Sequence, residues 1–201
     1  MGKASTRLLV YAGILTVGGV AAAAVLQGGP PKIKSGMKIF LLGDSLAVGL
    51  TPPLSALASE HKVGFKAMAK SGTRIDQWSN NAALYQAIQD FKPDLILVSL
   101  GTNDEYMKLD AHAKQAPHIR TLLQQLRKSA PVVWIGPPKL PSTGFYAWSK
   151  TNGALPLIHE HVPSSHYFPS HELAIPRAPD QLHPNVKGAA GWAGEIWKFI
   201  T

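Results

Sequence analysis

Apolar residues in this chain fall into short continuous runs, separated by longer stretches in which they recur every three or four positions. Residues 37–42 form one run and stop at Gly43; residues 94–100 form a second and stop at Gly101; residues 131–135 form a third and stop at Gly136-Pro137-Pro138. Runs of four to eight residues bounded by glycine and proline read as buried strands. Weaker strands are predicted at 63–69, before Ser71-Gly72, and at 165–168. Residues 46–59, 75–91, 113–129 and 186–200 have the length and spacing of helices. Strands without a polar face, alternating with helices, predict an α/β fold in which a mostly parallel sheet is covered on both faces. In such sheets a site belongs at the carboxyl ends of the strands.

The first 36 residues do not fit that alternation. Residues 8–26 are nineteen uncharged positions, preceded by Lys3 and Arg7 and followed by Gln27-Gly28-Gly29-Pro30-Pro31. As a helix this run is about 28 Å long, near the hydrocarbon thickness of a bilayer. Its three glycines and many alanines leave no polar face for a soluble helix. The expectation is one N-terminal hydrophobic helix over residues 1–27, a membrane anchor or a signal segment, with a linker at 28–36 and a folded domain at 37–201. Small residues at Ala21 to Ala24 suit signal cleavage, whereas the length suits an uncleaved anchor. The catalytic domain is expected outside the cytoplasm, held at the membrane by that helix or secreted after cleavage.

Composition narrows the function classes. The formal net charge of +8 is partly a property of the N-terminal segment, which holds four basic residues and no acidic one; from Gly36 onward sixteen basic residues face twelve acidic ones. The remaining lysines form no stripe interleaved with aromatics, so no nucleic-acid partner is expected. The absence of cysteine removes disulfides, thiolate metal sites and thiol nucleophiles. His159, His161, His166 and His171 show neither HExxH nor another zinc spacing, so no metal and no cofactor are expected.

Polar residues with chemical potential sit where the strands end. Ser45 follows the first strand, Gly72 the second and Asn103 the third, while Asp180 and His183 precede the last helix. A serine hydroxyl is a weak nucleophile until a base accepts its proton, and a neutral imidazole suits that task. Asp180 and His183 are three residues apart, so one turn can bring the carboxylate to one ring nitrogen and leave the other for a serine. Pro184 keeps His183 out of helical geometry. Asn103 offers two uncharged N–H donors, and Gly72 permits a close backbone approach. Each residue also has a plainer reading: Ser45 as a helix cap, Asn103 and Asp104 as turn formers, Gly72 as a turn glycine.

Gly43-Asp44-Ser45-Leu46, Gly72, Gly101-Thr102-Asn103-Asp104 and Asp180-Gln181-Leu182-His183 occur in the order of the blocks of the SGNH, or GDSL, hydrolases, and the chain resembles that family from Lys38 to its C-terminus. The resemblance implies a flavodoxin-like three-layer sandwich with a mostly parallel central sheet, the SGNH hydrolase fold. It implies a serine esterase with Ser45 as nucleophile, His183 as base and Asp180 as its carboxylate partner. The oxyanion donors are then the backbone N–H groups of Ser45 and Gly72 and the side-chain amide of Asn103. Asp104 is assigned no part in the chemistry. Ala47 stands where the G-x-S-x-G elbow of the α/β-hydrolases has its last glycine, which sets this serine apart from that class.

The substrate is less legible. Similar proteins act on acetylated carbohydrates, lipids or thioesters. An extracytoplasmic domain favours a small acyl group on a cell-envelope carbohydrate, and Trp78, Tyr106, Phe145, Tyr146 and Trp148 are candidate stacking residues. An O-acyltransferase using the same triad, a lysophospholipase or thioesterase, and a non-enzymatic envelope-binding protein on the same scaffold are the alternatives.

Overall fold

The computed structural model describes residues 29, 32–106, 109–139 and 154–201. Five strands, β1 (Lys38–Gly43), β2 (Gly64–Ala69), β3 (Leu95–Ser99), β4 (Val132–Ile135) and β5 (Tyr167–Phe168), make one sheet in the order β2-β1-β3-β4-β5. Every neighbouring pair is parallel. The helices are α1 (Ser45–Glu60), α2 (Ile75–Trp78), α3 (Ala82–Phe91), α4 (Leu109–Leu126), α5 (Ala154–His161) and α6 (Val186–Ile200).

The period of two along the strands sorts the core into two halves. Phe40, Leu42, Ile96, Val98, Val132 and Trp134 turn to one face, where α2 to α5 cover them with Trp78, Leu84, Ile88, Ile119, Leu122 and Ile158 among others. Ile39, Leu41, Leu95, Leu97, Val133 and Ile135 turn to the other, against Leu46, Leu50 and Leu54 of α1 and Trp192, Ile196 and Ile200 of α6. This is the predicted three-layer arrangement, and it explains why β1 and β3 are apolar without interruption.

Helix α1 carries Pro52 and Pro53 in its interior, each costing the ladder one N–H. Its buried face of Leu46, Ala47, Leu50, Leu54 and Ala58 outweighs that loss, so packing rather than propensity holds it. Gly43 has no room for a side chain: a Cβ there would lie 2.3 Å from the Ser99 carbonyl oxygen and 2.4 Å from the Ala47 Cβ. That closeness lets the Asp44 N–H reach the Ser99 carbonyl at 3.1 Å, tying the exit of β1 to the end of β3.

Several predicted boundaries shift. The single helix expected at 75–91 is two, because Ser79 and Asn81 hydrogen-bond the backbone locally. The Ser79 hydroxyl donates to the Asp76 carbonyl at 3.0 Å, and the Asn81 side chain caps α3 by accepting from Leu84 N–H at 3.0 Å. Helix α4 begins at Leu109, ahead of the expected 113, and ends at Leu126, with turns rather than helix at 127–129. Helix α5 is an addition to the predicted elements, a short helix of eight residues for which no apolar periodicity is read. Only Tyr167 and Phe168 of the expected strand at 165–168 pair, the preceding residues forming a short 3-10 turn.

The apolar run at 8–26 lies outside the described residues, as do Phe145, Tyr146, Trp148 and the Tyr106 side chain. Among the described residues no helix is long and apolar enough to cross a membrane. Trp78 is a core residue rather than a sugar platform: it is 4% exposed, and its indole N–H donates to Thr73 Oγ1 at 2.9 Å.

Candidate active site

The turn after β1 places Ser45 at the first position of α1, but Ser45 is not the cap. Asp44 is: its Oδ1 accepts from Leu46 N–H at 2.9 Å, and its carbonyl accepts from Val48 N–H at 3.0 Å. The Ser45 hydroxyl is thereby spared capping, at the helix end where unsatisfied N–H groups favour negative charge. Asp44 is 1% exposed, and burial pushes its carboxyl up to about 7 against the lowering effect of the Leu46 N–H and of His183. His183, from the last block of the sequence, is thus among the charges that act on Asp44 in the first.

His183 lies on a loop closed by an antiparallel bridge between Arg177 and Pro184. Asp180 organises this loop. Its Oδ1 accepts from the backbone N–H groups of Leu182 and His183, both at 2.9 Å, and its Oδ2 meets His183 Nδ1 at 2.7 Å. These bonds, led by the one from the imidazole, hold the Asp180 carboxyl down to about 2. With Nδ1 held by the carboxylate, Nε2 is the ring nitrogen on the side away from Asp180.

The other two residues predicted for the site, Gly72 and Asn103, lie on the loops after β2 and β3. Gly72 has φ +75°, a conformation other residues adopt only with strain, and a Cβ would meet nothing within 4 Å, so the backbone is open on that side. Among the described residues no group takes its N–H. Asn103 opens a 3-10 turn after Gly101 (φ +117°), and its Nδ2 donates to the Thr73 carbonyl at 2.9 Å and, at a longer 3.4 Å, to Asp44 Oδ2. Asn103 therefore joins the turn of Ser45 to the turn of Gly72.

Two contributors escaped the sequence reading. Asp104 is fully buried and accepts from Ile75 N–H at 3.3 Å, and burial pushes its carboxyl up to about 7. Arg177 donates from its guanidinium to the carbonyls of Leu182 and Lys139. Short-range sequence offers no sign of the Asp104–Ile75 or Arg177–Lys139 bond, since each spans separate segments. The histidines at 159–171 go elsewhere: His159 packs on the Tyr167 ring at 4.1 Å, and His166 is buried.

A parallel sheet between two layers of helices, with a serine at its first crossover, an asparagine at its third strand end and an Asp–His loop before its last helix, is the framework of the SGNH hydrolases rather than of the α/β-hydrolases with their G-x-S-x-G elbow. The model of the GDSL-like lipase/acylhydrolase family matches residues 41–190, and the chain belongs to that family. It is a hydrolase acting on ester bonds. No curated protein matches it in sequence. Among solved structures it is similar to the acetylxylan esterase Axe2 of Geobacillus stearothermophilus, with TM-score 0.62 and 16% identity over 84% of this chain and 96% of that one. It is likewise similar to LAE5, an alpha/beta hydrolase enzyme from the metagenome of Lake Arreo, with TM-score 0.58 and 16% identity over 84% and 96%. A GDSL-like lipase from Parabacteroides merdae aligns with TM-score 0.55 and 14% identity over 85% and 98%. At these identities the likeness is one of fold.

Proposed function

We propose that the chain is a serine esterase that hydrolyses its substrate through an acyl-serine intermediate, and that the ester is a small acyl group, acetyl, on a cell-envelope carbohydrate. The observation that carries the mechanism is the 2.7 Å contact of His183 Nδ1 with an Asp180 carboxylate already pinned by two backbone N–H groups. That arrangement fixes one tautomer and leaves Nε2 as the base.

Ser45 Oγ attacks the ester carbonyl while His183 takes its proton, and Asp180 stabilises the resulting imidazolium. The carbonyl oxygen becomes an oxyanion facing the N–H groups of Ser45 and Gly72 and the amide of Asn103. The 3.4 Å contact of Asn103 with Asp44 is the weaker of its two bonds and is the one exchanged for the oxyanion. The imidazolium then protonates the leaving alcohol, and a water activated by the same histidine releases the acid. Labelling by a fluorophosphonate in wild type and its absence in Ser45→Ala tests the covalent step.

The acetyl and carbohydrate assignment draws support from the acetylxylan esterase among the similar structures and from a domain of about 165 residues that leaves little chain for a lid over a long acyl tail. Release of acetate from acetylated oligosaccharides, compared with short-chain nitrophenyl esters and lysolipids, tests it. Membrane attachment through residues 8–26 with the domain outside the cytoplasm is supported by the apolar run alone, and fractionation with N-terminal sequencing of the mature protein tests it.

A further inference from the structure

The loop that carries Asp180 and His183 has little of its own to keep it in place. Asp180 and Gln181 are exposed, Gln181 is in the left-handed region at φ +58°, and Leu182 is the one well-buried apolar side chain from 178 to 183. The internal bonds, Ala178 N–H to His183 carbonyl at 2.8 Å and Gln181 N–H to Ala178 carbonyl at 2.9 Å, shape the loop without saying where it sits against the sheet edge. At its base, Asn185 donates from its backbone to the Pro176 carbonyl at 3.0 Å and from its side chain to the Arg177 carbonyl at 3.2 Å, fixing the two strands of the loop to each other.

Arg177 supplies the missing tie. One guanidinium nitrogen, Nη1, donates to the Leu182 carbonyl, next to His183, and the other, Nη2, donates to the Lys139 carbonyl at 3.0 Å. Lys139 follows Gly136-Pro137-Pro138, the segment leaving β4. The planar fork of an arginine therefore spans two backbone carbonyls, of Lys139 and Leu182, that are 43 residues apart in sequence and otherwise belong to different crossovers. A charged donor on a carbonyl makes a stronger bond than a neutral one, and a fork has fewer ways to misplace it.

We propose that Arg177 is a positioning residue for the catalytic pair, holding the Asp180–His183 loop in register with the end of β4 so that the imidazole stays trained on Ser45. The inference rests on the acyl-serine reading. Arg177 contacts neither the nucleophile nor the oxyanion donors; it acts through the backbone of Leu182. Lysine is not a substitute, because a single ammonium cannot bridge both carbonyls in the fixed geometry of the fork.

The test measures kcat, KM and the proton spectrum of Arg177→Ala and Arg177→Lys on one short acyl ester, using full-length protein with active sites titrated by fluorophosphonate so that any unfolded fraction drops out. Both variants should lose about 10- to 100-fold in kcat, the scale for a catalytic group displaced by about an ångström, with KM changed less than about twofold. The downfield proton expected of the His183 Nδ1 bond to Asp180 should broaden or vanish in both, and added guanidinium ion should partly restore kcat in Arg177→Ala. Unchanged kcat in Arg177→Ala overturns the proposal. So does full activity in Arg177→Lys, which would make the charge rather than the fork responsible, and so does a loss carried by KM with the downfield proton intact, which would put Arg177 on the substrate. If His183→Ala retains turnover, the acyl-serine reading has failed and this inference with it, a result separable from the others because it does not involve Arg177.

Discussion

Asp104 accepts a hydrogen bond from the Ile75 backbone N–H at 3.3 Å, reaching from the turn after β3 to the start of α2. Its neighbour Asn103 makes a parallel reach to the Thr73 carbonyl at 2.9 Å. The two adjacent residues thus clamp the turn that presents Gly72, whose far side is closed by Thr73 Oγ1 donating to the Lys70 carbonyl at 2.7 Å. A short GTND motif read on its own gives Asp104 no more than a turn-forming role. Burial changes that: Asp104→Ala leaves the Ile75 N–H without this acceptor in a dry site, at a cost of about 1–3 kcal/mol. The expected outcome is a lowered denaturation midpoint together with reduced kcat, while Asp104→Asn, which keeps an acceptor oxygen, retains most of both. Chemical denaturation and kcat measured side by side check this.

The same carboxyl makes stability depend on pH. Asp104 and Asp44 are each raised to about 7 from the ordinary value near 3.8, both mainly by burial, and the negative charges of Asp76 and Asp44 push the Asp104 carboxyl further in the same direction. A folded-state pKa above the unfolded one means that the native protein holds more protons between pH 3.8 and 7. The contribution is fully present below pH 3.8 and is lost as pH rises through about 7. Asp104→Asn should flatten this dependence, seen as a smaller decline in melting temperature from pH 5 to 7, about the range in which the carboxyls ionise. Asp180 has the opposite sign, since its depressed carboxyl contributes above pH 3.8 and the contribution is lost as pH falls through about 2. An Asp104→Asn profile as steep as wild type would remove Asp104 from this account.

Losses at the proposed site should be unequal. Ser45→Ala removes the nucleophile and His183→Ala its proton acceptor, so both should abolish nearly all turnover while circular dichroism stays native. Asn103→Ala should cost on the order of 10²–10³ in kcat, the scale for one oxyanion donor. Its role in tying Thr73 to Asp44 puts the upper end of that range in reach. Asp180→Asn keeps a side-chain acceptor but no charge, so kcat should fall severely with KM little changed. A series of kcat and KM values on one short acyl ester checks the ranking.

What was legible in the sequence follows from the range of the forces involved. The parallel sheet and its strand ends could be read because β1, β3 and β4 are apolar on both faces, and Gly43, Gly101 and Gly136 mark where they stop. The Asp180–His183 contact was legible because three residues of separation fix its geometry. The break between α2 and α3 was missed because Ser79 and Asn81 can sit in a helix or cap one; here they hydrogen-bond the backbone locally, while Trp78 and Leu84 on either side of the break enter the same core. The clamps by Asp104 and Arg177 were invisible because Ile75 lies 29 residues from Asp104 and Lys139 lies 38 from Arg177, where no local spacing rule reaches.

Gly188 provides a test of how far the base of the Asp180–His183 loop tolerates displacement. It lies in the first turn of α6, and a Cβ there would stand 2.0 Å from the Pro176 carbonyl oxygen, a backbone atom that cannot swing aside as a side chain would. The same carbonyl accepts from Asn185 N–H at 3.0 Å, so moving it disturbs the cap of α6, where Asn185 Oδ1 accepts from Gly188 N–H at 2.8 Å, and the strand that leads into Arg177. Alanine is otherwise the better helix former, by about 1 kcal/mol, so a gain in stability is what helix propensity alone would give. Overpacking of about 1–3 kcal/mol outweighs it here. Gly188→Ala should therefore lower the melting temperature and reduce kcat together, while a glycine-to-alanine change at Gly191, where a Cβ meets nothing within 4 Å, should stabilise the protein slightly and leave kcat alone. Thermal melts and kcat of the two variants measured together decide it: equal stabilisation of both would show that the loop base yields without cost.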